Sequence, residues 1–363
     1  MKTLKESLLD IDSVQSGLEP IALIDAWCKK NVRGTYEIDP ETLDINSNKY
    51  IEITNKELVK FPDYIHFGTV GGDFNCYGCK NLTSLKGSPK KVGGDFFCPN
   101  CTSLTSLKGS PKKVGGDFNC YDCNNLTSLE GAPEEVGGNF SCDYCNKLTT
   151  LNGTPKVIIE SFYCDNCSSL TSLKGAPEKV GENFNCSRCN NLTSLKDAPK
   201  EIGGYFDCSK CDLLTSLKGA PEKVGSHFIC YECKNLTSLE GAPKKVSEYF
   251  NCSECENLTS LEGAPKEIGK DFICSYCNSL QSLKGVPKKV GRHFNCSHCD
   301  SLTSLEGAPE KVGGYFDCAC CTSLTSLKGA PEKVDSGFYC SNCGRQFTED
   351  DVEKVCKVKD IIV

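Results

Sequence analysis

The apolar positions along most of this chain recur every 22 residues. Cys76 is followed at that interval by one cysteine after another up to Cys340, without insertion or deletion, which makes thirteen repeats. Most repeats carry Phe two places before this cysteine, a second Cys three places after it, then two Leu, a Pro and a Val or Ile. In one representative repeat these apolar positions, which we predict to form a buried ladder, are Phe118, Cys120, Cys123, Leu126, Leu129 and Val136.

This pattern predicts a short strand at the start of each repeat. Phe and the first Cys stand two residues apart, so in an extended strand both side chains point to the same, inward face. Gly and Pro near the end of the repeat favour a turn that brings the chain back beside its own start. A unit of this length buries its apolar face only against neighbours, so the period predicts a repeat solenoid with parallel strands.

The strand positions beside Phe and Cys point outward and vary from repeat to repeat. The residue just before the Phe is Asp73, Asp95 or Asp117 in early repeats, and Tyr or His in several later ones. Exposed rings supply contact area with a polar tip, which is typical of protein-binding surfaces. The alternative is that the rings only pack against each other as cross-strand pairs. The predicted partner-binding residues are Tyr205, Asp207, His227, Tyr249, His293, Tyr315 and Asp317.

Both ends leave the period, as a solenoid with capped ends requires. Pro20 to Lys30 has helical apolar spacing, and Thr348 and Asp351 are placed to open a short helix with a capping box. We therefore predict an N-terminal cap of helix and short strands over 1–49 and a degenerate first repeat over 50–69. The array follows over 70–345, and a C-terminal cap of short helix and strand over 346–363.

The 29 cysteines could be packing residues, zinc ligands or partners in disulfides between repeats, and a reducing compartment disfavours the disulfides. Cys-x-x-Cys pairs separated by 18 residues have the spacing of four-cysteine zinc sites. A zinc site must collect sulfurs from two repeats, however, and no alternation between odd and even repeats marks such pairs. The sequence favours small, reduced packing residues and no cofactor. The zinc alternative falls on Cys318, Cys321, Cys340 and Cys343.

Charge and hydropathy narrow the remaining classes. The net charge of −7 argues against binding nucleic acid. The chain has no apolar run long enough to cross a membrane, and Met1 to Ser13 does not have the pattern of a signal peptide. We therefore expect a cytoplasmic protein with reduced cysteines. Four His without a fixed relation to an acid and a nucleophile indicate that it is not an enzyme.

The run Phe118-x-Cys120-x-x-Cys123-x-x-Leu126 resembles the core segment of leucine-rich repeats, with Cys in the Asn position. The short period and the Leu-Thr-Ser-Leu segments look like repeats of bacterial effectors and, more closely, of proteins encoded by bacteriophages and bacteria. The resemblance covers about residues 50 to 345. One departure is that the family's leading Leu should fall at Gly115, whereas the apolar residue is Val114.

The resemblance implies a leucine-rich-repeat-like right-handed coil with a parallel β-sheet on the concave face and little regular helix outside the caps. It also implies a protein partner at the outward strand positions, and hence an interaction or scaffold protein. A thiolate-rich zinc-binding protein and a structural component of a larger particle remain the alternatives.

Overall fold

The computed structural model describes residues 19–363, so the expectations for the first eighteen residues lie outside it. The chain divides into two compact units, with unit 1 ending at Ser168 but also including 175–177, and unit 2 comprising 169–174 and 178–363. Each unit is a β-solenoid of stacked 22-residue repeats with parallel strands and almost no helix. The predicted fold class, a leucine-rich-repeat-like repeat solenoid, is confirmed.

Each repeat contributes two short strands. The first, which we call the Phe strand, begins at the Phe before the first Cys and pairs in parallel with its counterpart in the next repeat. In unit 1 this ladder comprises Val32–Gly34, Ile51–Ile53, Phe74–Asn75, Phe96–Phe97, Phe118–Asn119, Phe140–Ser141 and Phe162–Tyr163. In unit 2 it comprises Phe184–Asn185, Phe206–Asp207, Phe228–Ile229, Phe250–Asn251, Phe272–Ile273, Phe294–Asn295, Phe316–Asp317, Gly337–Tyr339 and Asp360–Ile362.

The second strand, the Val strand, ends at the Val or Ile that follows the Pro. In unit 1 these strands and their terminal equivalents are Glu37–Ile38, Ile45–Ser47, Phe67–Val70, Lys91–Val92, Lys113–Val114, Glu135–Val136 and Val157–Ile158. In unit 2 they are Lys179–Val180, Glu201–Ile202, Lys223–Val224, Lys245–Val246, Glu267–Ile268, Lys289–Val290, Lys311–Val312 and Lys333–Val334.

This second ladder corrects the expectation of one strand per repeat and a simple return segment. Val114 is buried and its neighbour Lys113 is exposed, so the strand alternates over only two residues, too short a pattern to recognise in the sequence. Gly115 and Gly116 then bend the chain before Phe118. A Cβ on Gly115 would lie 2.1 Å from the carbonyl oxygen of Gly93, so the close approach of successive repeats requires glycine there.

The core of each unit is a set of one-residue columns. In the Cys120 repeat, the Phe, both Cys and both Leu have no exposed surface, and Val136 is 3% exposed. The rings of successive Phe residues lie 5.0–5.6 Å apart from Phe74 to Phe162 and again from Phe184 to Phe338. Ring pairs at this separation stabilise a fold by about 0.5–1.5 kcal/mol beyond their buried area.

A left-handed residue follows each Phe strand. It stands immediately before the second Cys of the repeat, and its φ is 56° at Arg188 and 58° at Tyr276. The conformation turns its amide toward the next repeat, so that the N–H of Arg188 donates to the carbonyl of Ser209 at 2.7 Å. Side chains of very different size occupy this position, so no residue type marks it in the sequence.

The ends of the array have the predicted helices. Helix α1, Pro20–Asn31, buries Ile24 and Cys28, and the following strand, Val32–Gly34, pairs antiparallel with Ile51–Ile53. Helix α2, Glu349–Glu353, opens on the predicted capping box, because the Thr348 side chain accepts the Asp351 N–H and the Asp351 side chain accepts the Thr348 N–H. With twelve and five residues, neither helix of the described chain has the length and apolarity needed to cross a membrane.

Candidate interaction face

The residue immediately before each Phe forms what we call the pre-Phe column. In unit 1 this column is a side-chain ladder, because the Oδ1 of Asp73 accepts the N–H of Asp95 at 2.9 Å. Asp95 binds the N–H of Asp117 in the same way at 2.7 Å, and Asp117 binds that of Asn139 at 2.7 Å. These carboxylates therefore stabilise the stacking of repeats. The run of Asp at equal spacing was the available signal for this role.

In unit 2 most residues of the pre-Phe column are aromatic or imidazole rings. We call Tyr205, His227, Tyr249, His293 and Tyr315 the ring column. The imidazole of His227 stacks on the ring of Tyr249 with centroids 3.8 Å apart and planes 20° apart. His293 stacks on Tyr315 at 3.8 Å and 19°. The Tyr205 N–H donates to Asn183 Oδ1 at 3.0 Å. All five predicted ring residues are half-buried, so each presents part of its surface to solvent while packing along the column.

The two histidines in this column favour the neutral form. Burial lowers the pKa of His293, an effect that the nearby Asp271 carboxylate opposes and Arg292 reinforces. Its Nδ1 accepts the N–H of Tyr315 at 3.1 Å, so the ring replaces the aspartate of the earlier repeats. Burial also lowers the pKa of His227, whose buried Nδ1 has no hydrogen-bond partner among residues 19–363.

Asp271 and Arg292 lie between the two ring pairs, and the sequence analysis missed them. The Arg292 guanidinium donates two hydrogen bonds to the Asp271 carboxylate, from Nε and from Nη2, each at 3.0 Å. Asp271 Oδ1 also accepts the N–H of His293 at 3.0 Å. No other repeat has Arg at the position of Arg292. This difference from the other repeats could have identified the pair from the sequence.

The two predicted acidic residues of the face have a local structural role. Asp207 and Asp317 directly follow the Phe, and each accepts the backbone N–H two residues on, Ser209 at 2.8 Å and Ala319 at 3.0 Å. This bond closes an Asx turn, which ends the Phe strand. Burial raises the pKa of Asp317. Both side chains are half-buried and border the ring column.

All 29 cysteines are free thiols, and all but Cys320 and Cys343 are buried. The second Cys of a repeat donates its S–H to the carbonyl oxygen of the first Cys one repeat earlier. Cys123 does so to Cys98 at 3.2 Å, and Cys321 to Cys296 at 3.2 Å. The first Cys often donates to a carbonyl of the following repeat, as Cys120 does to Ser141 at 3.4 Å.

Three of the four cysteines of the zinc alternative, Cys318, Cys321 and Cys340, are buried, and Cys343 is half-buried. Zinc binds thiolates, whereas burial raises the pKa of Cys321 and of Cys340 to about 12 and also raises the pKa of Cys318, which favours the protonated thiols. Contact with the Cys318 thiol lowers the pKa of Cys343, whose S–H lies 3.3 Å from the Cys318 carbonyl. From Glu19 onward, the chain gathers no set of three or more His, Cys, Asp or Glu able to hold a metal ion.

Comparison with known proteins adds a likeness in structure. A leucine-rich repeat protein from Bacteroides ovatus ATCC 8483 is similar over 91% of this chain and 98% of its own, with 16% sequence identity and a TM-score of 0.47. No model of a protein family matches the chain. No curated protein matches it in sequence. The two strand ladders and buried columns themselves make each unit a leucine-rich-repeat-like β-solenoid.

Proposed function

We propose that this chain is a non-enzymatic scaffold that binds a partner protein through the ring column of unit 2. The supporting observation is the pair of stacks that His227 forms with Tyr249 and His293 forms with Tyr315. Rings held in place by stacking lose little conformational freedom when they bind, which favours affinity. Asp207 and Asp317 add acidic groups beside the rings.

The rest of the molecule is consistent with binding rather than catalysis. The polar residues of the array recur in equivalent positions, and most of those on the Phe strands hold backbone amides. A reaction needs a particular constellation held in a pocket. The same proposal places the protein in a reducing, cytoplasmic compartment, because buried free thiols persist there. We also propose a bacteriophage or bacterial origin, which rests on the resemblance alone. The proposed partner is a protein, not a membrane or a nucleic acid.

The test replaces Tyr205, Tyr249 and Tyr315 together with Ser and compares the proteins captured from the source organism by this variant and by the wild-type chain. We expect the specific partner to be lost, or its affinity to fall by about tenfold or more, as for central aromatic residues of interfaces. A matched control replaces three exposed tyrosines of unit 1, Tyr77, Tyr121 and Tyr144, with Ser. Unchanged capture by the unit 2 variant, with both variants folded, would rule out this face.

A further inference from the structure

The residue before the repeat Pro is small in most repeats but β-branched in two. Where it is Ala or Ser, its N–H donates to the second Leu carbonyl at 2.9–3.1 Å, as at Ala132 and Ala264. At Thr154 this bond lengthens to 3.3 Å and at Val286 to 3.5 Å. The preceding glycines, Gly153 and Gly285, have φ values of 105° and 109°, the largest among the glycines at this turn. The extra side-chain atoms therefore open the turn.

A groove accompanies each opened turn on the Val ladder. The six-stranded sheet of unit 1 ends at Glu135–Val136 and does not include Val157–Ile158, and a groove of about 640 Å³ lies there beside Thr154. In unit 2, Glu267–Ile268 and Lys289–Val290 pair through one residue pair, and a groove of about 840 Å³ lies beside Val286. Other described neighbouring Val strands of unit 2 pair through two residue pairs each.

The two grooves differ in charge. The groove beside Thr154 is lined by two lysines and two glutamates, Lys113, Lys156, Glu134 and Glu135. The groove beside Val286 is lined by four lysines and one glutamate, Lys245, Lys266, Lys288, Lys289 and Glu267, which leaves three positive charges in excess. The excess is local, since the whole chain carries a net charge of −7.

Two of these lysines are available to a ligand. Lys245 pairs with Glu267 at 3.1 Å and Lys288 with Glu310 at 2.7 Å. Lys266 and Lys289 form no ion pair with any residue from 19 to 363. Below them the groove is apolar, with Val246, Ile268 and Pro287 buried and Val286 half-buried.

We propose that the groove beside Val286 binds an extended acidic peptide segment of a partner protein. Carboxylates of the peptide pair with Lys266 and Lys289, and its alternate side chains cover the apolar floor. The apolar floor favours a peptide over a nucleic acid, whose phosphates it does not complement. This site is separate from the ring column, so either proposal can fail without the other.

The test measures binding of a fluorescein-labelled ten-residue peptide of alternating Glu and Leu to the full chain by anisotropy. Comparison probes are decaglutamate, the alternating Lys and Leu peptide, and a ten-nucleotide oligothymidylate. We expect the Glu and Leu peptide to bind best. We expect the double variant Lys266→Glu, Lys289→Glu to weaken its binding by about tenfold or more, because two attractions become repulsions. Val286→Ala should also weaken it by narrowing the groove.

Thr154→Ala is the matched control, because it makes the same kind of change at the neutral groove and should leave peptide binding unaltered. Both alanine variants restore the residue type of most other repeats, so they should fold. The proposal is overturned if the Glu and Leu peptide does not bind, or if any of the three comparison probes binds as tightly as that peptide does. It is also overturned if the double variant Lys266→Glu, Lys289→Glu binds the peptide with unchanged affinity.

Discussion

The Nδ1 of His293 accepts the backbone N–H of Tyr315 at 3.1 Å, while the rings of these two residues stack 3.8 Å apart. One imidazole therefore takes the place of the aspartates that join repeats in unit 1 and also supports an aromatic ring on the surface. The hydrogen bond needs an unprotonated Nδ1, since a protonated Nδ1 would face a backbone donor. The ring column is thereby linked to pH.

We predict that acid destabilises the chain partly through His293. Its pKa is lowered in the fold, so the stability from the neutral ring is complete above the ordinary value of 6.5 and is lost as the pH falls. His293→Asn keeps an acceptor, as Asn183 has in the same column, but does not titrate. Urea unfolding midpoints from neutral to acidic pH should fall less in this variant. Equal slopes in both proteins would contradict this role.

Asp143 should have the opposite pH dependence. Burial and the neighbouring Asp165 carboxylate raise the pKa of Asp143 to about 8. The folded chain therefore holds this proton more tightly than the unfolded chain, and the stabilising contribution present below 3.8 disappears as the pH rises through about 8. Asp143→Asn should increase the unfolding midpoint more in alkaline than in acidic buffer.

Asp39 provides a control of the opposite sign. Backbone N–H groups of Thr42 and Glu41 lower its pKa, so its contribution is present above the ordinary value of 3.8 and is lost below it. Asp39→Asn should therefore reduce stability in neutral buffer and have little effect in strong acid. If both variants respond to pH alike, the assignment for Asp143 is wrong.

The left-handed position offers a route to stabilisation. Arg188 is exposed and has a φ of 56°, a conformation that costs a residue with a Cβ about 1–2 kcal/mol. Glycine avoids this cost but loses about 0.5–1 kcal/mol in backbone entropy. Arg188→Gly should therefore raise the free energy of unfolding by about 0.5–1 kcal/mol. Ser187→Gly, one residue earlier, should lower the free energy of unfolding. If urea titrations show Ser187→Gly to be more stable than Arg188→Gly, the left-handed conformation assigned to Arg188 is wrong.

Purified chain should contain well below one zinc per molecule by elemental analysis. The expected reason is that thiols such as Cys321 donate to backbone carbonyls and have raised pKa values, whereas zinc requires thiolates. Replacing Cys321 and Cys343 together with Ser should leave the metal content unchanged. One or more zinc ions per chain, lost in that variant, would restore the zinc alternative.

The inward columns could be predicted from the period, because every repeat has a Phe two residues before its first Cys, as Phe118 stands before Cys120. The capping box was readable from Thr348 and Asp351 because it depends on local spacing. The Val strands were not, since two residues such as Lys113 and Val114 are too few to show alternation. Nor could the sequence reveal that His227 and Tyr249 stack, because a 22-residue spacing fixes neighbours but not ring orientation.

The central claim is that the repeats stack with their sulfur atoms inside. A thiol-specific colorimetric reagent tests it by counting reactive cysteines in the native chain and again in denaturant, each with and without a chelator. We predict that at most two thiols, Cys320 and Cys343, react in the native chain and that all 29 react after unfolding. Rapid reaction of most thiols in the native chain, or only after chelation, would contradict the account.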